Sequence, residues 1–572
     1  MGWQSKTGQP DFRNGLKMQE KLITLLHDTL ETIFSEGALR RESEIPIIIE
    51  TPTRKGQGDY ATPLALSLSK LHKQPPLKIG SLFVERINQS PPKFLEKVEV
   101  AGAGYINFFI KNDTWRETLL EILKTGERYG QAHLGCGKKI LIEFVSANPT
   151  GPLHVAHGRA AALGDAFTRL LRAMGFTVEQ EYYINDMGNQ MSLLGQSTKL
   201  RYHELLGEKI ELPQEAYKGD YIIDIAKALL EKEGDSLKDR DDSFFGQWSY
   251  KAMLSRIEDD LHAFGIDFDR WFREASLYEN KEVEASIALL RSKGVVYDAD
   301  GAVWVATTRY GDDKDRVIAR QNGEMTYFAA DIAYHRNKFE RGYDRIINIW
   351  GGDHHGYVAR VKASVEAMGF PVDRLDIVIH QLVNLLRGGK PVAMSKRSGE
   401  FVTLKEVMEE VGIDATRFFF LMRRSDTSLD FDLELAKATS DENPVYYVQY
   451  AYARLCSLLR VAAGQGLKYD QAIFEAGEKY LASLESPEEM DLIKQLSFYP
   501  DVVKTAATRL EPHRINIYLS ELAGKLHRYY FSTRVITDNA PQTLARLSLI
   551  MAIQIVLKSA LGLLGVSAPE RM

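Results

Sequence analysis

Residues 138–186, KKILIEFVSANPTGPLHVAHGRAAALGDAFTRLLRAMGFTVEQEYYIND, constrain this chain more than any other segment. The apolar run ILIEFV is followed by an N-P-T-G-P turn, a long Ala/Leu-rich helix reaching Gly175, and the run TVEQEYYIND. That order is a βαβ unit, and parallel strands joined by a helical crossover belong to a sheet covered on both faces. A second α/β stretch begins near Gly301. RIINIWG (345–351) reads as a strand, HHGYVARVKASVEAMG (354–369) as a helix, and LDIVIHQLVNLL (375–386) as another strand ended by R-G-G-K. Two βαβ halves around an acidic, helical insertion at about 190–300 predict an α/β fold: a doubly wound, Rossmann-type parallel sheet over residues 126–412.

A chain of 572 residues is too long for one core, and its flanks differ in pattern from the middle. Residues 18–125 read as an N-terminal α/β module: a helix opening at Met18, a short strand, a helix and a final strand pair, with turns at GQGDY (56–60) and GAGY (102–105). Residues 1–17 are polar and aperiodic and read as a flexible extension. Residues 413–572 are amphipathic at helical spacing, with Pro487, Pro500 and Pro512 at breaks, and predict an all-α helical bundle. No uninterrupted apolar run reaches the roughly 18 to 20 residues of a membrane span; the longest, around Leu547–Leu557, is broken by Ser and Gln. The start lacks the order of a secretory signal, so the expectation is a cytoplasmic protein with no membrane partner. Two cysteines, Cys136 and Cys456, exclude a disulfide framework and a cysteine-built zinc site. The net charge of −6 means that any nucleic-acid contact must come from local basic patches.

His154 and His157 follow the first turn at i and i+3, so both imidazoles share one face of the helix start. The carboxyl ends of strands in a doubly wound sheet, with helix N-termini offering free N–H groups, are where phosphates bind. A surface pair or a metal pair fits the same spacing. Further on, GGKPVAMSKRSGE (388–400) is a basic, Gly-bounded loop suited to closing over phosphates, although most Lys-rich loops are simply solvated. Between the two, GGDHHG (351–356) follows a strand and opens a helix, where Asp353 could hold a ribose or cap the helix.

The run His154-Val155-Ala156-His157 resembles the HIGH signature of class I aminoacyl-tRNA synthetases, with Ala156 in place of Gly, and the preceding A-N-P-T-G-P-L looks like the form found in arginine enzymes. Ala393-Met394-Ser395-Lys396-Arg397 resembles the KMSKS loop of the same class, with Ala393 for the first Lys, Arg397 for the last Ser, and Ser398 one place later. Both motifs occur in the expected order, each at the edge of its own βαβ half, and chance agreement of both is far rarer than of either. The chain resembles the bacterial-type arginine–tRNA ligases over almost its whole length after Met18.

That resemblance implies ligation of L-arginine to tRNA(Arg) with ATP and Mg2+, through an arginyl-adenylate and without a covalent enzyme intermediate, and activation that awaits bound tRNA. His154, His157 and Lys396 would stabilise charge building on the phosphates. Gly352, Asp353, His355, Met394, Ser395 and Ser398 would contact ATP. Protein ligands for a metal are not assigned, since hydrated Mg2+ on ATP needs few. For arginine, a guanidinium demands planar bidentate acceptors. Tyr327 and Asp331 lie at i and i+4 in TYFAADIAYHR; periodicity alone makes them an amphipathic pair with the aromatic packed and the acid solvated. By the resemblance they would hold the guanidinium, while Glu143 and Asn148 fix the amino-acid head. An unpaired Asp331 would reject citrulline without a separate editing site.

In PVYYVQYAYARLCSLLR (444–460), Tyr446, Tyr447, Tyr450 and Tyr452 lie near Arg454 and Arg460; a tyrosine stripe more often packs a helix than stacks on RNA. The segment resembles the start of the family's anticodon-binding domain, preceded by D-A-T-R (414–417), which departs from D-A-L-R at Thr416. KGQGDYAT (55–62) resembles the extra domain by which these enzymes contact the corner of the tRNA, and the expected state is a monomer. Two rivals remain in view. A metal-dependent hydrolase could use His154, His157, Asp353, His354 and His355, although no H-E-x-x-H is present. A catalytically silent tRNA-binding paralogue is disfavoured by the joint presence of His154, His157 and Lys396. The cysteine enzyme, the nearest relative within the class, would need pocket cysteines this chain lacks.

Overall fold

The structure, a computed structural model, describes residues 18–41, 45–52, 56–392, 402–467 and 479–572. The segment 1–17, expected to be an extension, lies outside them. The chain forms two compact units, one of residues up to Leu120 with Leu481–Ser486, the other of Glu121–Tyr480 with Pro487–Met572.

The first unit opens with the helix Met18–Ser35, which buries Leu22, Leu26, Leu30 and Ile33 along one stripe. Its antiparallel sheet runs in the order β1 (Tyr60–Thr62), β3 (Tyr105–Ile110), β2 (Leu95–Ala101). β2 and β3 are joined at GAGY, where Gly104 has φ +122° and a Cβ would fall 2.7 Å from the Pro76 side chain, so glycine is required twice over.

The second unit is built on a five-stranded parallel sheet in the order β11 (Leu375–His380), β10 (Arg345–Gly351), β4 (Lys139–Glu143), β5 (Thr177–Ile184), β6 (Arg270–Arg273). From β4 the chain winds outward one way through β5, and from β10 the other way through β11. The sheet is therefore doubly wound, and its switch point lies between β4 and β10, where Glu143 is the register partner of Asn348. Both central strands are almost continuously apolar because both faces are covered. The helix Val155–Ala173 crosses against the sheet so closely that a Cβ on Gly164 would sit 2.2 Å from the Phe144 ring.

Three local readings need correction. The insertion is not wholly helical: after the helices Asn189–Leu205, Asp220–Glu233 and Asp242–Ala263 it supplies edge strand β6, whose Trp271 stacks on Tyr182 at 4.5 Å and whose Phe272 stacks on Tyr183 at 6.1 Å. An antiparallel sheet, β7 (Val296–Ala299), β8 (Ala302–Val305) and β9 (Arg316–Ala319), then leads into the helix Tyr327–Glu340. The run 375–386 is two strands: the chain leaves the main sheet after His380 and continues as β12 (Val383–Arg387), between β13 (Lys390–Pro391) and β14 (Leu429–Asp432). The break is made by hydrogen bonds, since the Gln381 N–H donates to Ser425 O and the buried Arg159 guanidinium donates to Gln381 O, Arg424 O and Thr427 O, all at 2.9 Å. Pro500 lies inside the helix Pro487–Arg509, held there by burial of Leu496, Tyr499 and Val503 around it.

That helix packs with Pro444–Gly464, His513–Ser532 and Ala540–Leu563 into the C-terminal bundle. Ala540–Leu563 is long and apolar enough, by length and composition, to cross a membrane, but 61% of its apolar window is buried among its neighbours.

Candidate active site

The crevice at the switch point is bounded by the start of the helix Val155–Ala173 and by the turns that follow β4 and β10. His154 is the N-cap of that helix and its ring Nδ1 accepts from the Ala156 N–H at 3.3 Å; His157 Nδ1 in turn accepts from the His154 N–H at 3.3 Å. A backbone N–H can only donate, so Nδ1 is the bare nitrogen of each ring and Nε2 carries the hydrogen. The rings stack with centroids 3.7 Å apart. Burial, then His154 and His380, push the His157 pKa down to about 3, and burial followed by Arg159 pushes His380 to about 4. His157 therefore offers a phosphate a neutral N–H and not a positive charge.

Ala393, Met394, Ser395, Lys396, Arg397 and Ser398 lie outside the described residues. The chain downstream of them is placed: Thr403 bridges His154, Leu404 N–H donates to Leu153 O at 2.7 Å, and Thr403 with Glu406 caps the next helix. Thr403 and Leu404 thus lie directly beside the start of the histidine helix.

The turn after β4 is strained. Val145 and Ser146 have φ +67° and +43°, the left-handed region that a β-branched residue rarely enters. It is held by the Ser146 hydroxyl, which donates to Glu143 Oε1 at 2.9 Å and accepts from the Tyr183 N–H at 3.2 Å, and by the Tyr182 hydroxyl on Ala147 O at 2.8 Å. Asn148, next along, is exposed and donates to Gln190 Oε1 at 2.9 Å.

Glu143 was expected to meet substrate directly. It is buried, and both its oxygens are engaged, one by Ser146 and the other by Lys338 Nζ at 2.5 Å. It orders the pocket from behind. Tyr327 and Asp331 do share a face of the helix Tyr327–Glu340. Tyr327 is 62% exposed, whereas Asp331, expected from periodicity to be solvated, is half-buried and accepts from the Tyr357 hydroxyl. Burial raises its pKa to about 6, against the Tyr357 hydrogen bond and with help from Glu143.

Sequence reading missed Glu274. It is 4% exposed, and burial lifts it to about 7 against the influence of the Tyr183 hydroxyl, with Asp331 and Asp186 adding to the rise. Glu274, Asp331 and Glu143 all push the Tyr183 hydroxyl upward, so three carboxyls act on one half-buried ring. Glu274 opens the short helix Glu274–Glu279 just after β6, which Asp186 caps through Ala275 N–H at 2.9 Å. Neither motif nor spacing distinguishes it in sequence; only the pairing of β6 with β5 brings it here.

On the far side, Gly352–Tyr357 is a 3-10 helix whose N-cap is Gly351 without a side-chain cap. Asp353 is therefore not the cap; it is 81% exposed, 3.6 Å from His354, and open to a ligand. A Cβ on Gly352 would lie 3.1 Å from Gln381 Oε1, so any larger residue here would have to displace that side chain. His354 and His355 are exposed, and among the described residues no three His, Cys, Asp or Glu side chains converge as metal ligands. The hydrolase set is not assembled.

Along Pro444–Gly464 the tyrosines divide. Tyr452 is buried, while Tyr446 and Tyr450 stack at 5.9 Å, Tyr447 meets His527 at 4.5 Å, and Arg454 lies 5.5 Å over Tyr450 and 4.1 Å over Tyr530.

Comparison with known proteins accounts for each part of the chain. Residues 118–427 match the family model of the class I (R) tRNA synthetase catalytic domain, residues 20–110 that of the arginyl tRNA synthetase N-terminal domain, and residues 448–572 that of the DALR anticodon binding domain. An arginine–tRNA ligase of Geobacter sp. (strain M21) is 50% identical, and one of Bacillus subtilis (strain 168) 42% identical, each over 563 residues that cover 97% of this chain and 100% of the relative. The arginyl-tRNA synthetase structure of Thermus thermophilus, 23% identical, superposes with a TM-score of 0.75 over 96% of this chain and 100% of that one, which shows the shared fold.

Proposed function

This chain belongs to the arginyl-tRNA synthetase family and charges tRNA with arginine using ATP, and on that premise we propose which of its residues do so. The arginine carboxylate attacks the α-phosphorus of ATP, the bond to pyrophosphate breaks, and arginyl-adenylate forms. A ribose hydroxyl at the 3′ end of tRNA(Arg) then attacks the arginyl carbonyl and AMP leaves. Nε2–H of His154 and of His157 donates to phosphate oxygens as charge builds there, and Lys396 adds a positive charge. Met394, Ser395 and Ser398 belong to that segment; Gly352, Asp353 and His355 line the nucleotide side. Mg2+ carried on the triphosphate neutralises charge there and needs few protein ligands.

Asp331 and Glu274 take the two edges of the guanidinium, Tyr327 covers it, and Asn148 holds the amino-acid head. The single observation that carries this reading is that Glu274, buried just after β6, and Asp331, bonded to Tyr357 just after β10, lie at the carboxyl ends of the same sheet's strands as the stacked histidines after β4. The N-terminal module (18–125) and the helices after Ile413 contact the tRNA around the catalytic part (126–412). We expect a monomer acting in the cytoplasm.

ATP–pyrophosphate exchange with each amino acid, with and without tRNA, tests the reading on the native chain and on Lys396→Ala. Exchange with arginine alone among the amino acids, dependent on tRNA and reduced in the variant, is the expected result. Arginine exchange that survives intact in the variant would remove Lys396 from the mechanism.

A further inference from the structure

Lys338 lies seven residues after Asp331, two turns along the same helix face, and its side chain is 0% exposed. An exposed amphipathic position would leave such a lysine in solvent; here it points under the arginine pocket. Nζ donates to Glu143 Oε2 at 2.5 Å and to Asn348 Oδ1 at 2.8 Å, and sits 4.1 Å over the Tyr334 ring. Glu143 and Asn348 are register partners on the two central strands, so one ammonium straddles the switch point of the sheet.

The network around it permits only one arrangement of hydrogens. His335 Nδ1 faces Asp331 O at 2.8 Å and must donate, which leaves Nε2 to accept from Asn348 Nδ2 at 2.9 Å. Asn348 Oδ1 then accepts from Lys338, Lys338 meets Glu143, and Glu143 accepts from Ser146 in the strained turn. Burial, then Lys338, push the His335 pKa down to about 3, so the chain of bonds runs through a neutral ring.

We propose that Lys338 is a positioning and specificity-determining residue of the arginine subsite: by pairing with Glu143 it withdraws one of three crowded carboxylates and leaves two, Asp331 and Glu274, matched to the two bidentate edges of a guanidinium. This rests on the assignment of Asp331 and Glu274 above. Three unpaired carboxylates acting on one another in so small a space resist ionising together, and the protonated one would offer a donor where the ligand needs an acceptor. Asp331 feels Glu143 from β4, Tyr183 from β5, Glu274 and Tyr278 from the helix after β6, Tyr357 and His354 from the 3-10 helix, and Lys338 from its own helix. Arg360 reaches it through Tyr357.

The test is the pH dependence of the arginine and ATP KM in tRNA-supported pyrophosphate exchange, for the native chain, Lys338→Met, Asp331→Asn and the double variant Glu143→Gln/Lys338→Met. The expected result for Lys338→Met is an arginine KM raised roughly tenfold or more, since one unit of carboxylate pKa is tenfold in binding, with the ATP KM unchanged and the acid limb moved to higher pH. The double variant, with both charges removed, recovers most of the loss and returns the limb. A Lys338→Met chain that loses only kcat or melting temperature, with arginine KM and acid limb unmoved, overturns the inference, as does a double variant no better than the single. Should Lys338→Met fail to fold, the double variant decides: an arginine KM near native supports the pairing, and one as high as that of Asp331→Asn refutes it. If Asp331→Asn itself leaves the arginine KM unchanged, the subsite assignment has failed; if it weakens arginine while Lys338→Met does not, only the role of Lys338 has.

Discussion

Lowering the pH should weaken arginine binding far more steeply than ATP binding, and the structure fixes the range. The two carboxyls that face the guanidinium are both raised by burial, Glu274 to about 7 and Asp331 to about 6. A guanidinium pairs with ionised carboxylates, so a raised pKa means that binding is complete above pH 7 and is lost as pH falls through 7 and then 6. Treating the two values as belonging to the coupled pair, about nine-tenths of the free enzyme has both ionised at pH 8 and about one part in 10³ at pH 5, a loss of ~4 kcal/mol in arginine binding. For folding of the free chain the sign is opposite: carboxyls raised from the ordinary range to about 7 and 6 cost stability as pH rises through those values, so stabilisation of the fold by arginine is largest near pH 8. Titration calorimetry with arginine in two buffers of different ionisation enthalpy measures both affinity and released protons. The logarithm of Kd should climb with slope one below pH 7 and approach two below pH 6. In Glu274→Gln a single limb near pH 6 should remain, on a weaker baseline. An arginine Kd flat from pH 8 to pH 5.5, or binding without proton release at pH 6.5, would refute the pairing of these carboxylates with the guanidinium.

Replacing His157 by Ala should lower kcat by about 10²- to 10³-fold, as loss of one preorganised donor does elsewhere; because burial holds His157 near pKa 3, the native kcat should show no limb of its own near pH 6.5. Gly164→Ala puts a methyl 2.2 Å from the Phe144 ring, and thermal melts should show a loss of about 1–3 kcal/mol. Arg417, buried, pairs with Asp165 on the signature helix and donates to Phe264 O and Leu564 O at 2.9 and 3.1 Å. Arg417→Met leaves Asp165 without that partner and should cost about 3–5 kcal/mol in denaturant unfolding, with Asp165→Asn/Arg417→Met costing less than the single variant.

What the chain discloses by itself is whatever local chemistry encodes. The strands 139–143 and 345–351 are read from apolar runs, the turn after the first from N-P-T-G-P, and the helix start from a histidine that caps it, because strand burial, turn preference and capping act over a few residues. The histidine pair was legible for the same reason. Glu274 was not, being one of 78 acidic residues until a four-residue strand, β6, seats it beside a helix that begins more than fifty residues later. The apolar run 375–386 looks continuous, yet hydrogen bonds from Arg159 and to Ser425 bend it into two sheets. Asp331 and Lys338 are spaced as ordinary members of an amphipathic helix, and only the packing of that helix against β4, β5 and β10 encloses the one and buries the other. Burial and the company of other charges set what an ionisable side chain can do, and both are properties of the folded arrangement, which spacing along the chain does not carry.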